Sequence, residues 1–256
     1  MVLSGCVEML FKGEHEAFDA RIRAAHAAGL EAVEFWSWRN KDLDAVGRAL
    51  DQTGVGLTGF RVDPRCAIVN PATHAEFLDN VRESLAVARR LKAGALIVVT
   101  GDTIAGRSRA GQHAAVVEVL RRAAPMAEAE GVVLVLEPLN TAKDHVGYFL
   151  DSTREGLDII EEVGSPAVRL LYDLYHSVMM GERPADVLAG RGGLVGHVHV
   201  ADAPGRHEPG TGEIDWAAAL ATLTAAGYAG PIGLEFRPTG TTRHALAATR
   251  AHFAGD

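Results

Sequence analysis

Apolar residues occur along the chain in two patterns that alternate. Short continuous runs rich in Val, Ile, Leu and Phe cover residues 3–7, 32–35, 55–60, 95–99, 132–137, 168–173, 194–200 and 232–236. Runs of this length and composition predict β-strands. Between them, stretches such as 15–29, 74–91 and 112–131 repeat their apolar residues at every third or fourth position, and several end at Gly. This spacing and this ending are typical of amphipathic α-helices.

The alternation predicts an α/β fold, a (β/α)8 TIM barrel formed by a single domain over residues 1–256. Eight predicted strands alternate with about eight helices, and no linker or low-complexity segment interrupts them. A doubly wound open sheet is the alternative, and it usually has a Gly-rich phosphate-binding turn after its first strand. The segment SGCVEMLF, residues 4–11, contains no such turn. The barrel is therefore favoured.

Composition and charge narrow the class of protein. The chain is 48% apolar and 23% charged with a net charge of −8, and it has no long basic run, so a nucleic-acid-binding surface is not expected. No apolar stretch reaches the roughly 18 residues that a membrane helix needs, and the N-terminal residues lack the features of a signal peptide. Cys6 and Cys66 form no disulfide framework and are predicted to be free thiols. We expect a cytoplasmic enzyme with no nucleic-acid or membrane partner.

Four consecutive predicted strands end in side chains that can bind metals. Glu137 ends the apolar run in LVLEPLNT, Asp173 ends VRLLYD, His199 lies near the end of LVGHVHV, and Glu235 lies in PIGLEF. In a (β/α)8 barrel the carboxyl ends of the strands form one rim, where the active site lies. Three carboxylates crowded there would repel one another unless a cation lay among them. Three carboxylates and one imidazole suit a divalent metal ion, Mn2+ or Mg2+, with open positions for substrate oxygens.

Several of these polar residues also have a structural interpretation. Asp173 could cap the helix that follows it, as Asp215 is predicted to do. His197, one layer deeper than His199, is expected to pack behind the site rather than bind metal. Glu34, at the end of the second strand, is either a buried structural acceptor or a rim residue. One polar strand end alone would carry little weight, but four in succession favour a metal site.

Several segments, in order along the chain, resemble the sugar isomerase/epimerase barrels related to hydroxypyruvate isomerase, within the xylose isomerase-like TIM barrel family. These segments are EPLNT…GYFL, YDLYH, GHVHVADAPGRHEPGTGEIDW and GLEFRP. The resemblance covers nearly the whole chain, including MLF after the first strand and AVEFW at the second. Its most specific part is the loop ADAPGRHEPGTGEI, which is similar to that of hydroxypyruvate isomerase almost residue for residue. This loop is expected to be either mobile or tightly turned and to close over the site.

The resemblance implies a function and roles for individual residues. It implies metal-dependent isomerisation of hydroxypyruvate to tartronate semialdehyde through a cis-enediolate. The implied metal ligands are Glu137, Asp173, His199 and Glu235, and the implied acid/base pair is Glu137 and Glu235. His176, in DLYH, and Arg206 match positions that bind substrate oxygens. Arg206 and Arg237 are also candidates for binding a substrate carboxylate, because a guanidinium can hold it through two parallel hydrogen bonds.

The sequence leaves the substrate open. His199 stands where hydroxypyruvate isomerases often have glutamine and ketose 3-epimerases have histidine, and EPLNTAKDHVGYFL is longer than the usual segment. A ketose 3-epimerase or another small-sugar isomerase on the same site is therefore the alternative function. The intact ligand set argues against a non-catalytic sugar-binding subunit. A homo-oligomer is compatible with the sequence, which does not fix the oligomeric state.

Abasic-site endonucleases share this barrel but are not favoured. Their trinuclear zinc cluster needs extra histidines in the loops after strands two to four. The segments FWSWRNKD, FRVDPRCAIVN and TGDTIAGRSR contain none, and the acidic net charge opposes binding to DNA.

Overall fold

The strands of the chain close into a parallel barrel in sequence order, which confirms the predicted fold. The computed structural model describes residues 2–254. Each strand pairs with the next along the chain, and β8 pairs with β1 to close the barrel. The strands are β1 (Leu3–Cys6), β2 (Ala32–Phe35), β3 (Gly56–Arg61), β4 (Ala95–Val98), β5 (Val133–Leu136), β6 (Val168–Asp173), β7 (Val195–Val200) and β8 (Ile232–Leu234).

Helices follow the strands and cover the outside of the barrel. They are α1 (Phe18–Ala27), α2 (Leu43–Thr53), α3 (His74–Leu91), α4 (Arg109–Glu130), α5 (Thr153–Val163), α6 (Leu174–Met179), α7 (Pro184–Val187), α8 (Trp216–Ala225) and α9 (Thr242–Ala254). Short polar side chains fix where several of them begin. Asp42, Ser108 and Ser152 accept hydrogen bonds from backbone N–H groups in the first turns of α2, α4 and α5. Asp215 caps α8 by accepting from the N–H of Ala218 at 3.0 Å, as the sequence predicts.

Four strands, β1, β4, β5 and β8, end one or two residues earlier than the sequence predicts, and two of these endings concern candidate site residues. β5 ends at Leu136 and β8 at Leu234, so Glu137 and Glu235 follow their strands instead of belonging to them. Both residues still pair with the neighbouring strand. The Glu137 N–H donates to the backbone carbonyl of Val98 at 3.0 Å, and the Glu235 N–H donates to the backbone carbonyl of Val200 at 3.1 Å. The backbone therefore holds both glutamates at the carboxyl rim of the barrel.

The interior of the barrel is apolar in one part and polar in another. Ile97, Val135 and Leu171, from β4, β5 and β6, form a small cluster separate from the main core between strands and helices. Elsewhere the Thr58 hydroxyl lies 2.6 Å from that of Ser4 and donates to Glu34 at 3.2 Å. A barrel interior normally fills with packed side chains, and here part of that filling is a buried polar network.

Two further predictions concern the whole chain. Cys6 and Cys66 are both free and buried, as expected. Within residues 2–254, no helix is both long enough and apolar enough to span a membrane.

Candidate active site and metal centre

The four residues that end successive strands come together at the rim of the barrel. Glu137, Asp173, His199 and Glu235 are all buried, and each offers a ligand atom within 4.8 Å of those of the other three. The Nδ1 atom of His199 is central to the group. It lies 3.4 Å from Glu137 Oε1, 3.6 Å from Glu235 Oε2 and 4.0 Å from Asp173 Oδ2. The structure thus brings together the metal ligands that the sequence predicts.

The donor set of this cluster fits a divalent cation. His199 Nδ1 is buried and has no hydrogen-bond partner, although three carboxylate groups surround it. A proton on Nδ1 could be shared with one carboxylate at a time, and three buried carboxylates would still repel one another. A divalent cation at their centre could be bound by all four residues, and oxygen ligands with one imidazole suit Mn2+ or Mg2+. The cluster can therefore hold a metal ion.

Glu34 supports His199 from below. Its two carboxylate oxygens lie 2.9 Å from His199 Nε2 and 2.8 Å from His197 Nε2. Burial would raise the pKa of Glu34, but the charges of His199 and His197 outweigh it and lower that pKa. An ionised carboxylate next to one nitrogen of an imidazole, here Nε2, keeps the ring proton on that nitrogen. The other nitrogen, here Nδ1, is then free to bind a metal. Of the two interpretations of Glu34, the buried acceptor is the correct one, and His197 lies beneath the site as expected.

A glycine leaves room for this contact. Gly233 of β8 pairs with His199 of β7 in the sheet. A Cβ atom at position 233 would lie 2.5 Å from both Glu34 Oε1 and His199 Cδ2, closer than side-chain carbons approach other atoms. Any larger residue would push the carboxylate away from the imidazole.

Asp173 caps a helix with one oxygen and faces the cluster with the other. Its Oδ1 accepts a hydrogen bond from the His176 N–H at 3.0 Å and caps α6. Its Oδ2 faces His199 Nδ1. Burial raises the pKa of Asp173, as expected for a carboxylate taken out of water beside other acids.

Glu235 is held by two hydrogen bonds that favour its ionised form. Trp36 Nε1 donates to Oε1 at 2.6 Å, and Arg206 Nη2 donates to Oε2 at 2.6 Å. Burial opposes the charge, but Arg206 and His199 outweigh it and lower the pKa of Glu235. Trp36 was not singled out from the sequence, because nothing in AVEFW indicates that its indole reaches a glutamate from another strand.

His176 presents one fixed nitrogen to the cavity. Its Nδ1 accepts hydrogen bonds from the backbone N–H of Asn140 at 3.2 Å and from the side-chain Nδ2 of the same residue at 2.6 Å. The ring proton must therefore lie on Nε2, which is buried and has no partner. Burial, followed by the charge of Arg206, lowers the pKa of His176 to about 3. The imidazole is thus neutral, and its Nε2–H can donate to a substrate oxygen.

The loop after β7 has the tightly turned form that the sequence offered as one alternative. Its centre is the buried side chain of Asp202, which accepts from the N–H groups of Ala203 at 2.9 Å, Gly210 at 2.7 Å and Ile214 at 3.2 Å. The indole of Trp216 donates to the same carboxylate at 2.9 Å. This loop places the guanidinium of Arg206 5.1 Å from the ring centre of Tyr175.

One cavity, of about 380 Å³, joins these groups. It is lined by Glu137, Glu235, His176, Arg206 and Arg237, all of which the sequence singled out, and by residues that it did not, among them Trp36, Arg61, Arg65, Asp144 and His145. A groove of about 590 Å³ against α8 is larger, but none of the four clustered residues lines it. The candidate catalytic residues therefore line the smaller cavity.

Comparison with known proteins relates this arrangement to a family. A family model described as xylose isomerase-like TIM barrel matches residues 22–252. The chain is 32% identical over 250 residues to hydroxypyruvate isomerase of Escherichia coli (strain K12), covering 95% of this chain and 96% of that protein. It is 32% identical over 240 residues to 2-oxo-tetronate isomerase of Cupriavidus necator, covering 91% and 92%.

A solved structure shows the same fold. A protein from Brucella melitensis described as AP endonuclease, family 2, matches with a TM-score of 0.90 and 30% identity, over 98% of this chain and 99% of that one. The family model covers most of the barrel, and the two curated relatives named above are isomerases. The chain therefore belongs to the xylose isomerase-like TIM barrel family, and it is an isomerase.

Proposed function

We propose that this protein is a divalent-metal-dependent isomerase that interconverts hydroxypyruvate and tartronate semialdehyde through a cis-enediolate. The observation that carries the proposal is the convergence of three carboxylates on His199 Nδ1 beside a small polar cavity. The names of the two isomerase relatives, which refer to hydroxypyruvate and 2-oxo-tetronate, support a small hydroxy-keto acid as substrate.

In this proposal the metal ligands are Glu137, Asp173, His199 and Glu235, with Mn2+ or Mg2+ as the ion. When bound, such an ion supplies Lewis-acid stabilisation of the charge that develops on the substrate oxygens. The imidazole favours a borderline ion such as Mn2+ over Mg2+.

The reaction moves one hydrogen from C3 of hydroxypyruvate to C2. When the C3–H bond breaks, its electron pair forms the C2–C3 double bond and the carbonyl electrons move to O2. C2 then takes a proton, the O3 proton passes to O2, and the double bond between C3 and O3 of the aldehyde forms. We assign removal of the C3 proton and delivery of the C2 proton to Glu137 and Glu235, whose roles exchange in the reverse direction.

Neighbouring residues position the two glutamates and the substrate. Glu137 follows β5 and Glu235 follows β8, so the two carboxylates can reach the substrate from different sides of the rim. Trp36 and Arg206 fix the carboxylate of Glu235 through both of its oxygens. His176 donates from Nε2 to a substrate oxygen, and Arg206 can use its remaining N–H groups in the same way.

Observations on the loops favour this function over a nuclease. Within residues 2–254, two groups of His, Cys, Asp or Glu side chains are spaced to hold a metal, and both include His199. Their members come from β2 and from β5 to β8, so the loops after β3 and β4 add no ligand for a trinuclear cluster. The net charge of −8 also opposes binding to DNA.

The test measures solvent exchange during turnover. Metal-loaded enzyme given hydroxypyruvate in deuterated water should form tartronate semialdehyde with solvent deuterium at the former carbonyl carbon. Chelation should abolish turnover, and Mn2+, Mg2+ or Co2+ should restore it. Glu137→Gln and Glu235→Gln should each lower turnover roughly 10²- to 10⁴-fold, whereas Glu31→Gln, at an exposed position before β2 and so at the opposite end of the barrel, should not.

Several outcomes would contradict the proposal. Full turnover in thoroughly metal-free enzyme would exclude the metal-dependent mechanism. Metal occupancy must be measured in each variant, because lost metal would mimic lost proton transfer. If hydroxypyruvate is inert but a ketose exchanges its C3 hydrogen with solvent, the protein is a ketose 3-epimerase instead.

The single-domain organisation, a homo-oligomeric assembly and a cytoplasmic location stay predictions from the sequence.

A further inference from the structure

Three arginines that line the cavity, Arg61, Arg65 and Arg237, have no part in the proposed mechanism, and the first two lie on its β3 side. Arg61 is the last residue of β3, and Arg65 lies four positions later in the loop that follows. Both line the same cavity as Glu137 and Glu235. Arg61 is half-buried, and its Nε is buried without a hydrogen-bond partner. Among the ion pairs of residues 2–254 none involves Arg61, Arg65 or Arg237, whereas Arg206 is already bonded to Glu235. Arg237 is exposed, and the buried unpartnered nitrogen belongs to Arg61.

The carboxylates that act on Arg61 are those of Asp63, Glu137 and Glu8, and each has other partners. Asp63 accepts hydrogen bonds from Ser37 and Arg39, Glu8 pairs with Lys41, and Glu137 belongs to the rim cluster. Burial, followed by the nearby positive charge of Arg65, lowers the pKa of Arg61. Two like charges beside each other in a partly buried site are unfavourable unless an anion lies near them. A divalent cation in the rim cluster would offset its carboxylates, which would leave the two guanidinium groups as positive charge facing the cavity.

We propose that Arg61 and Arg65 bind the carboxylate of the substrate and thereby select hydroxy-keto acids over neutral ketoses. This inference rests on the proposed function and names the residues that determine its specificity. Guanidinium groups hold carboxylates through parallel charge-assisted hydrogen bonds, which fix orientation as well as affinity.

The layout of the cavity gives the substrate a direction. The two arginines come from β3 and its loop, and the proposed metal ligands come from β5 to β8. Ile97 of β4 and Val99 after it line the cavity from the strand between these two sides. A carboxylate held at the β3 side would therefore leave the carbonyl and hydroxyl oxygens of a three-carbon acid facing the ligands.

The test compares two substrates that differ only in the group at issue. Hydroxypyruvate has a carboxylate where dihydroxyacetone has a neutral CH2OH group. In metal-loaded enzyme, Arg61→Gln and Arg65→Gln should each raise the KM for hydroxypyruvate roughly 10- to 100-fold, without raising the KM for dihydroxyacetone. Arg61→Lys should retain part of the affinity. Arg82→Gln removes the same charge from an exposed site on α3 and should change neither value.

A binding measurement separates this inference from the proposed function. Glycerate keeps the carboxylate but lacks the carbonyl, so its affinity can be measured by calorimetry without turnover. Both Gln variants should bind glycerate roughly 10- to 100-fold more weakly than the parent, with unchanged metal content. If hydroxypyruvate is isomerised with the same KM in these variants, or if Arg237→Gln alone weakens glycerate binding, the assignment fails and the proposed function stands. If glycerate binding depends on both arginines but hydroxypyruvate is not isomerised, the carboxylate site stands and the proposed function fails.

Discussion

Replacing Glu34 with glutamine tests whether the carboxylate beneath His199 determines metal affinity. In the parent protein the two oxygens of Glu34 lie 2.8 Å and 2.9 Å from the Nε2 atoms of His197 and His199. Glutamine has nearly the same shape but offers one oxygen and one NH2 group. One of the two imidazoles must then face a donor, and the negative charge between them is lost.

The expected loss follows from which imidazole faces the amide nitrogen. If it is His199, its Nε2 must accept, so its proton moves to Nδ1 and blocks the atom proposed to bind the metal. If it is His197, the correct tautomer of His199 survives and only the charge is lost. Loss of such a supporting carboxylate typically lowers metal affinity roughly 10- to 100-fold, which corresponds to about 1.4–2.8 kcal/mol. We expect a loss of metal affinity near the upper end of this range if the amide nitrogen faces His199.

The assay is a competition titration of metal-free protein with Mn2+ against a chromophoric chelator. It reads affinity directly and does not depend on turnover. Glu31→Gln is the matched control, because it makes the same exchange at an exposed position just before β2, at the opposite end of the barrel from the cluster. A folded Glu34→Gln protein that binds Mn2+ as tightly as the parent would refute the reasoning.

Four further changes test other parts of the site. Gly233→Ala should lower Mn2+ affinity in the same titration, because its Cβ would lie 2.5 Å from His199 Cδ2. Gly193→Ala is the control, since its Cβ would have no atom within 4 Å, and it should leave the affinity unchanged. Equal losses of affinity in the two variants would contradict this. Asn140→Asp should raise KM with unchanged metal affinity, because a carboxylate would draw the proton of His176 to Nδ1; an unchanged KM would count against it. His199→Gln should shift relative activation from Mn2+ toward Mg2+, since imidazole favours the borderline ion, and an unchanged metal preference would place His199 outside the ligand set. Burial opposes the charge on His199, but the neighbouring carboxylates raise its pKa well above the usual value in metal-free protein. Its proton therefore stabilises the metal-free fold fully below the unfolded pKa of about 6.5, and this stabilisation is lost as the pH rises through the folded value. The difference in Tm between metal-loaded and metal-free protein should widen with rising pH, and a constant or narrowing difference would contradict the proton competition.

The fold could be predicted because its determinants are local. Apolar runs and helical spacing each depend on a few neighbouring residues, and the strands begin and end within two residues of the predicted bounds. The exact end of β5 could not be predicted, because Glu137 keeps its backbone bond to Val98 although the strand pairing stops at Leu136. Such an ending depends on the neighbouring strand and not on the residues of β5 itself.

Whether the loop after β7 is mobile or ordered could not be predicted from its composition. Its Gly and charged residues are compatible with either a mobile or an ordered segment. The deciding residue is Asp202, which accepts hydrogen bonds from loop residues 203, 210 and 214 and from Trp216. One buried carboxylate surrounded by backbone donors orders the loop, and nothing in the spacing of these residues indicates that they meet.

The same distinction explains which part of the site could be predicted. The proposed ligands lie on or directly after β5 to β8, and in a barrel wound in sequence order, strands adjacent in the chain are adjacent in space. Strand-end residues alone were therefore enough to bring the four together. The contacts that hold them reach across the barrel, from Glu34 of β2 to His199 of β7 and from Trp36 to Glu235. The register of β2 also shifts between Val33 and Glu34, so strict alternation does not give the direction of the Glu34 side chain. A contact between strands that are not neighbours leaves no periodic trace in the sequence. For this reason the supporting residues could be found only in the structure, whereas the clustering of the four proposed ligands could be predicted from the sequence.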